Sequence, residues 1–111
     1  MHPYRSILFV PAHKPEWAHK ALATGADCIV LDLEDSVPVE LKESARQLVR
    51  HTLLELRAAA PNVGLFVRPN ALDTQLSGAD LEAVTCPELD GLFVPKVKDA
   101  TDVLRWETLI D

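Results

Sequence analysis

Apolar residues come along this chain in short continuous or nearly continuous runs, each followed by a polar turn and then by a longer stretch whose apolar positions recur at helical spacing. The runs are Ile7–Val10, Cys28–Leu33, Leu65–Val67 and Leu92–Val97. They start about 28 residues apart, close to the ~30 of a strand–helix–strand step. A strand covered on both faces needs continuous rather than alternating apolar character, so the runs predict a parallel sheet.

The intervening stretches predict helices over Pro15–Thr24, Val39–Ala60, Leu76–Val84 and Asp99–Ile110. Pro15 falls in the first turn of the first helix, where its missing N–H is harmless, and Gly25 stops it. In the second, Leu41, Ala45, Leu48, Val49, Thr52 and Leu56 make the apolar stripe, with Pro38 at the start and Pro61 at the end. Ser77 is the candidate cap of the third helix, and Asp99 or Thr101 of the fourth. No linker or low-complexity segment interrupts the units, so residues 1–111 read as a single α/β domain. Four β/α units are half of an eightfold barrel, whose usual size is ~250 residues. The expectation is therefore the N-terminal (β/α)4 portion of a TIM-type (β/α)8 barrel, an incomplete barrel; the alternative is an open four-stranded sheet with helices on both faces.

Charge and composition narrow the partners. With 11 Lys+Arg against 17 Asp+Glu the net charge is −6, which argues against a sequence-wide grip on nucleic acid. Hydrophobic residues at 48% and charged residues at 25% exclude general disorder. The first apolar run meets Pro11, His13 and Lys14 at once, too soon for a signal-peptide core or a spanning helix, so neither a membrane partner nor export is expected and the reading is cytoplasmic. Cys28 and Cys86 stand far apart with no CxxC around them, which points to a reducing compartment rather than a zinc module or disulfide framework. The chain has four glycines and no GxGxxG or GxxxxGK[ST] pattern.

In parallel α/β folds reactive groups gather where strands run out into the following loops. Here those ends carry His13 and Lys14, then Asp32, Glu34 and Asp35, then Arg68 and Asn70, then Lys96 and Lys98. Strand alternation puts Asp32 and Glu34 on one face, with Asp35 opening the loop. Two carboxylates on an inward face are costly unless they meet cations, water or a metal. The plainer alternative has Asp35 capping a turn and Glu34 solvated. Arg68, stiffened by Pro69, can bind a carboxylate or an oxyanion with paired hydrogen bonds, or make a structural ion pair with Asp32 and Glu34. Lys96 can anchor an anion or neutralise the acids, and His13 is a loop residue within reach of a substrate. His2, His19 and His51 read as surface or helix residues. Cys28 reads as core and Cys86 has no nearby base, so neither is a nucleophile candidate.

Taken together, Arg5-Ser6-Ile7-Leu8-Phe9-Val10-Pro11, Ile29-Val30-Leu31-Asp32-Leu33-Glu34-Asp35-Ser36-Val37, Val67-Arg68-Pro69-Asn70 and Val94-Pro95-Lys96-Val97 resemble the N-terminal half of the HpcH/HpaI aldolase and citrate lyase beta-subunit-like family. The resemblance implies a TIM-type barrel that makes or breaks carbon–carbon bonds between a 2-oxo acid and an acyl-CoA thioester with Mg²⁺, in the manner of a citryl-CoA or malyl-CoA lyase. It implies that Arg68 is catalytic and binds the oxo acid, that Lys96 is the family's lysine of the fourth strand, and that Asp32, Glu34 and Asp35 form the metal's outer shell; Lys96 and His13 are the further substrate-binding candidates. The family's direct metal ligands, a glutamate and an aspartate of later strands, fall beyond Asp111, so no direct ligand is expected here and the chain alone should be inactive or nearly so. A homo-oligomer is also implied. Two places depart from the family pattern: the first loop reads Pro11-Ala12-His13-Lys14-Pro15, where relatives usually have glycine after the first proline and often arginine before the second, and Lys98 stands where relatives often have an acid.

Two other classes compete with this reading. A non-catalytic half-barrel would expose strand edges and an apolar face and so self-associate. A receiver-type phosphoacceptor domain shares the length, the acidity and the strand-end acids with a lysine, but wants its acids after the first and third strands.

Overall fold

The computed structural model describes residues 6–71, 76–94, 101 and 104. Four strands, β1 (Ile7–Pro11), β2 (Cys28–Asp32), β3 (Gly64–Arg68) and β4 (Gly91–Leu92), alternate with the helices α1 (Pro15–Ala23), α2 (Lys42–Ala59) and α3 (Ser77–Val84). All neighbouring strands are parallel and lie in the order β1-β2-β3-β4. Because each crossover steps the same way across the sheet, the right-handed rule puts every helix on one side. The helices do pack in that row, α1 on α2 and α2 on α3. This winding is that of the N-terminal portion of a TIM-type barrel. It overturns the open sheet with helices on both faces, and a receiver domain, whose strand order begins 2-1-3, is excluded with it.

The register divides the sheet into two unlike faces. Val10, Ile29, Leu31, Leu65 and Val67 point into the core shared with Ala18, Ala21, Ala45, Val49, Leu53, Leu56 and Val84. The opposite face carries Phe9, Val30 and Phe66 in register, and one position further on Pro11, Asp32 and Arg68. No described helix covers it; instead Phe93 meets Phe9 and Phe66 edge-on, with ring centroids 5.6 and 5.4 Å apart. Gly91 is needed there, since a Cβ on it would sit 2.8 Å from Cε2 of Phe66.

The helices form largely for the reasons the sequence suggests. Pro15 opens α1, and Gly25, at φ +83°, ends it in a conformation other residues seldom adopt. A short 3-10 turn, Val39–Leu41, precedes α2, so Leu41 is out of phase with the helix and exposed. The buried stripe of α2 is Ala45, Val49, Thr52, Leu53 and Leu56; Leu48, expected in it, lies at its margin and is exposed, while Leu53, one turn beyond Val49, is fully enclosed. In α3 the residue before the first turn is Leu76, not Ser77, with no side-chain cap bond.

β1 differs from expectation as well. Its apolar run reads as covered on both faces, yet Ile7, Leu8 and Phe9 are 43%, 39% and 48% exposed. Among the described residues β1 pairs with β2 alone, which leaves its other edge without a neighbour. Lys96, Lys98 and most of the expected fourth helix lie outside the described residues; Thr101 and Leu104 within it are helical.

Candidate functional site

Parallel pairing sets Asp32 directly beside Arg68 at the C-terminal ends of β2 and β3. Arg68 therefore meets the carboxylate with one whole edge: Nε donates to Oδ1 at 2.9 Å and Nη2 to Oδ2 at 2.8 Å. Two parallel charge-assisted bonds fix the plane of the guanidinium as well as its position. Its carbon lies 4.8 Å from the centroid of the Phe9 ring, a cation–π contact from the next strand. The other edge, Nη1, has no hydrogen-bond partner among the described residues.

Asp32 is the organising group. Its Oδ1 also accepts from the backbone N–H of Glu34 at 2.8 Å, and Oδ2 accepts from the N–H and hydroxyl of Ser36 at 3.1 and 2.7 Å. Burial alone would push its carboxyl up; the donors of Arg68, Ser36 and Glu34 outweigh burial and bring it down to about 2. The same hydrogen bonds and charges raise Arg68 further above its ordinary value, against the effect of burial.

The loop after β2 turns tightly around Asp32 and returns Glu34 to the arginine, with Oε1 3.7 Å from Nε of Arg68. Glu34 is 6% exposed, which overturns the solvated alternative, while Asp35 is exposed. β2 proper ends at Asp32, but Leu33 N–H still bonds the Arg68 carbonyl at 2.9 Å, so the alternation that places Glu34 with Asp32 survives the strand's end. The ion pair expected as one reading of Arg68 is present, and it uses only one edge of the guanidinium.

His13 lies in the turn after β1, closed by the Lys14 N–H to Pro11 carbonyl bond of 3.0 Å, and its Nδ1 is buried without a hydrogen-bond partner among the described residues. Ala12 N–H bonds the Asp32 carbonyl at 2.9 Å, which ties this turn to the same mouth. Lys96 lies outside the described residues. His19 and His51 are exposed and face Glu55 at 3.4 and 3.5 Å, away from the site. Cys28 is fully buried, and burial, then Asp90 and Asp27, push its thiol up to about 11, the opposite of an activated nucleophile.

Sequence reasoning missed a second tier. Lys42 donates to the carbonyls of Leu33 and Glu34 at 2.8 and 2.7 Å and to Oδ1 of Asn70 at 2.6 Å. Asn70 donates through both its backbone N–H and its amide to Oδ2 of Asp80, each at 2.7 Å, and Arg46 closes on Oδ1 of Asp80 at 2.9 Å. One signal for it exists in the sequence: a lysine as the first residue of a helix opposes the positive end of the helix dipole, a local conflict that needs a tertiary reason.

For Mg²⁺, the chemistry of the donors decides. Both oxygens of Asp32 are filled by N–H and O–H donors, and among the described residues no three His, Cys, Asp or Glu side chains are grouped to hold an ion. With the Asp32 oxygens already taken, the fit to a hydrated Mg²⁺ rests on Glu34, beside Arg68, and on the exposed Asp35, whose carboxylates are hard oxygen donors of the kind that bond the ion's water. Among the described residues, no helix is long and apolar enough to cross a membrane.

The chain is 39% identical over 109 residues to the (3S)-malyl-CoA thioesterase of Cereibacter sphaeroides, covering 98% of this chain and 38% of that protein. It is 38% identical over 103 residues to the citrate lyase subunit beta of Escherichia coli, covering 93% and 33%. Its fold superposes on the citrate lyase beta subunit of M. tuberculosis complexed with oxaloacetate and magnesium with a TM-score of 0.71, at 36% identity, covering 91% of this chain and 42% of that one. The chain thus spans about two fifths or less of the length of these proteins. The model of the HpcH/HpaI aldolase/citrate lyase family matches residues 5–111, and the chain belongs to that family.

Proposed function

We propose that this chain supplies the oxo-acid-binding part of the active site of a Mg²⁺-dependent carbon–carbon lyase that acts on a 2-oxo acid and an acyl-CoA thioester, of the citryl-CoA or malyl-CoA kind. The observation that carries the reading is Arg68, clamped along one edge by Asp32 with no partner for Nη1 among the described residues. A guanidinium fixed in this way is prepared to take a carboxylate or a keto oxygen on its second edge without first losing side-chain freedom.

When the carbon–carbon bond of a 3-hydroxyacyl thioester breaks, the hydroxyl loses its proton and its oxygen becomes the keto oxygen of the oxo acid. The bond's electron pair goes to the carbon beside the thioester, which is protonated in turn. Arg68 would stabilise the charge on the oxygen, in a mouth where burial strengthens the interaction. The Nδ1 of His13, buried and without a partner among the described residues, would take a substrate oxygen or N–H, and Lys96 would anchor an anionic group. Asp32 would hold Arg68 and the β2 loop in place while Glu34 and Asp35 orient water on the metal, and Mg²⁺, when bound, supplies a counter-charge for the oxo acid's oxygens. Relatives named for malyl-CoA and citrate, and a neighbour holding oxaloacetate and magnesium, support the choice of substrate class.

The test is calorimetric titration of the chain with oxaloacetate, with and without Mg²⁺, beside Arg68→Ala. Binding that the substitution abolishes supports the proposal; no binding, or equal binding by the variant, overturns it. Lyase and thioesterase chemistry separate by product, since thioester hydrolysis of malyl-CoA releases a free thiol and carbon–carbon cleavage leaves the thioester intact. The lyase reading expects glyoxylate without free thiol in any turnover.

A further inference from the structure

The tier beneath Asp32 and Arg68 has features that packing alone does not need. The Lys42 ammonium has three donors, and all three are used: two on consecutive backbone carbonyls, Leu33 and Glu34, and one on Asn70. Asn70 and Asp80 are 1% and 0% exposed, and Asp80 is satisfied by Asn70 and Arg46. Charges therefore alternate inward from the α2–α3 surface: the Arg46 guanidinium, the Asp80 carboxylate, the Asn70 dipole, the Lys42 ammonium and the two loop carbonyls. The chain of contacts ties the β2 loop, which carries Glu34 and follows Asp32, and the β3 loop, which follows Arg68, to α2 and α3.

The carbonyls that Lys42 holds belong to the two residues after Asp32. Gripped there, the 33–34 and 34–35 peptide units are held on either side of Glu34, so the Glu34 N–H stays aimed at Asp32, its carboxylate stays beside Arg68, and the next peptide unit is delivered with the Ser36 N–H toward Asp32. A half-buried lysine is an expensive way to fasten a loop. Desolvation lowers the Lys42 pKa even with Asp32, Asp80, Glu34 and Asp35 around it, so its charge is held at a cost. A loop required only to be ordered could be packed with apolar side chains instead.

Resting on the function proposed above, we infer that Lys42, with Asn70 and Asp80 behind it, is a positioning residue: it sets the peptide planes of the β2 loop that aim Glu34 and Asp32 at Arg68. It touches neither substrate nor metal.

The test is amide hydrogen exchange, by NMR, on the 111-residue chain and on Lys42→Met, which keeps the length and removes the charge. Exchange at the Glu34 and Ser36 amides should quicken at least tenfold while Leu53 and Leu65, in the core, keep their wild-type rates. A general loss of stability would quicken all of them together, and either that result or no change overturns the inference. If Lys42→Met does not fold, Asn70→Ala, which removes the ammonium's side-chain acceptor and one donor to Asp80 but keeps the lysine, is judged by the same amides. Oxaloacetate affinity, read in parallel, should fall about tenfold in a variant whose exchange changes are confined to the loop; unchanged affinity there also overturns the positioning role. A wild-type chain that binds no oxaloacetate defeats the proposed function, while the exchange result still decides whether Lys42 sets the loop.

Discussion

Arg57 and Arg68 stand at opposite ends of β3, each paired with an aspartate, and they are used differently. Arg57 gives Nη1 to the carbonyls of Pro61 and Val63 at 2.9 and 2.7 Å, and Nη2 to the carbonyl of Glu88 and to Asp90 Oδ2 at 3.1 and 2.7 Å. Its aspartate is tied to the backbone in turn, since Oδ2 of Asp90 also accepts Leu65 N–H at 2.8 Å. Every contact of this pair closes a loop at the N-terminal end of the sheet. Arg68 instead spends Nε and Nη2 on Asp32 and keeps Nη1 without a partner among the described residues. In parallel β/α folds the N-terminal end serves stability and the C-terminal end chemistry, and the two arginines express that division in their hydrogen bonds.

Replacing each arginine with lysine gives the largest contrast. Lysine keeps the charge and loses the planar fork. At position 68 it can still neutralise Asp32 but cannot grip Asp32 and an oxo acid at once, so oxaloacetate affinity should fall on the order of 100-fold, with the melting temperature little moved. At position 57 it can satisfy only part of the four-acceptor set, and a loss of roughly 2 kcal/mol in unfolding free energy is expected from the bonds left unmade, with oxaloacetate affinity unchanged. Urea unfolding and calorimetry on both variants read the two effects. If each variant lost both properties equally, the division between the ends would be wrong.

Much of this was legible before any coordinates. Asp32 and Arg68 were readable because a charged residue at the end of an apolar run has to be explained, and the unbroken runs themselves announced parallel strands. Glu34 was placed correctly by alternation even though the strand ends two residues earlier. The second tier was not legible. Its bonds join residues 28, 10 and 34 positions apart in the sequence, and nothing local to Asn70 or Asp80 says which partner will be near. Asn70 stood inside a recognised motif without a role, because an amide after Arg68-Pro69 has meaning only once Lys42 comes under it. The exposed β1 was misread for a related reason: an apolar run reports what a strand can bury, and only the neighbours decide how much it does.

Acid sharpens the comparison at the C-terminal end. The carboxyl of Asp32 is brought from 3.8 to about 2 in the folded chain. A lowered carboxylate pKa contributes stability that is fully present above the unfolded value and lost as pH falls through the folded one. The contribution, roughly 2 kcal/mol for a shift of this size, should therefore be intact above about pH 4 and disappear toward pH 2. The carboxyl carbon resonance of Asp32 should titrate near its lowered value, and a midpoint near 3.8 would show that the Arg68 clamp is absent in solution.

The smallest effect concerns the far end of the same helix-free face. Cys28 shares that face with Asp32, in register with Ile7 and Gly64, but sits at the N-terminal end, fully buried. Asp32 at the mouth is buried too, yet it is surrounded by donors that favour its charged form, whereas Cys28 has Asp90 and Asp27 for neighbours, and burial and both charges push its thiol up to about 11. One end of the face is thus built to hold an anion and the other to refuse one. At pH 8, iodoacetamide should alkylate Cys86, which is partly exposed, and leave Cys28 unmodified until the chain is unfolded, when both react. Mass spectrometry gives the count directly. A second alkyl group appearing at the rate of the first would mean that thiolate forms readily at Cys28, and that the N-terminal end of this face is as open to water and to charge as the mouth where Arg68 waits.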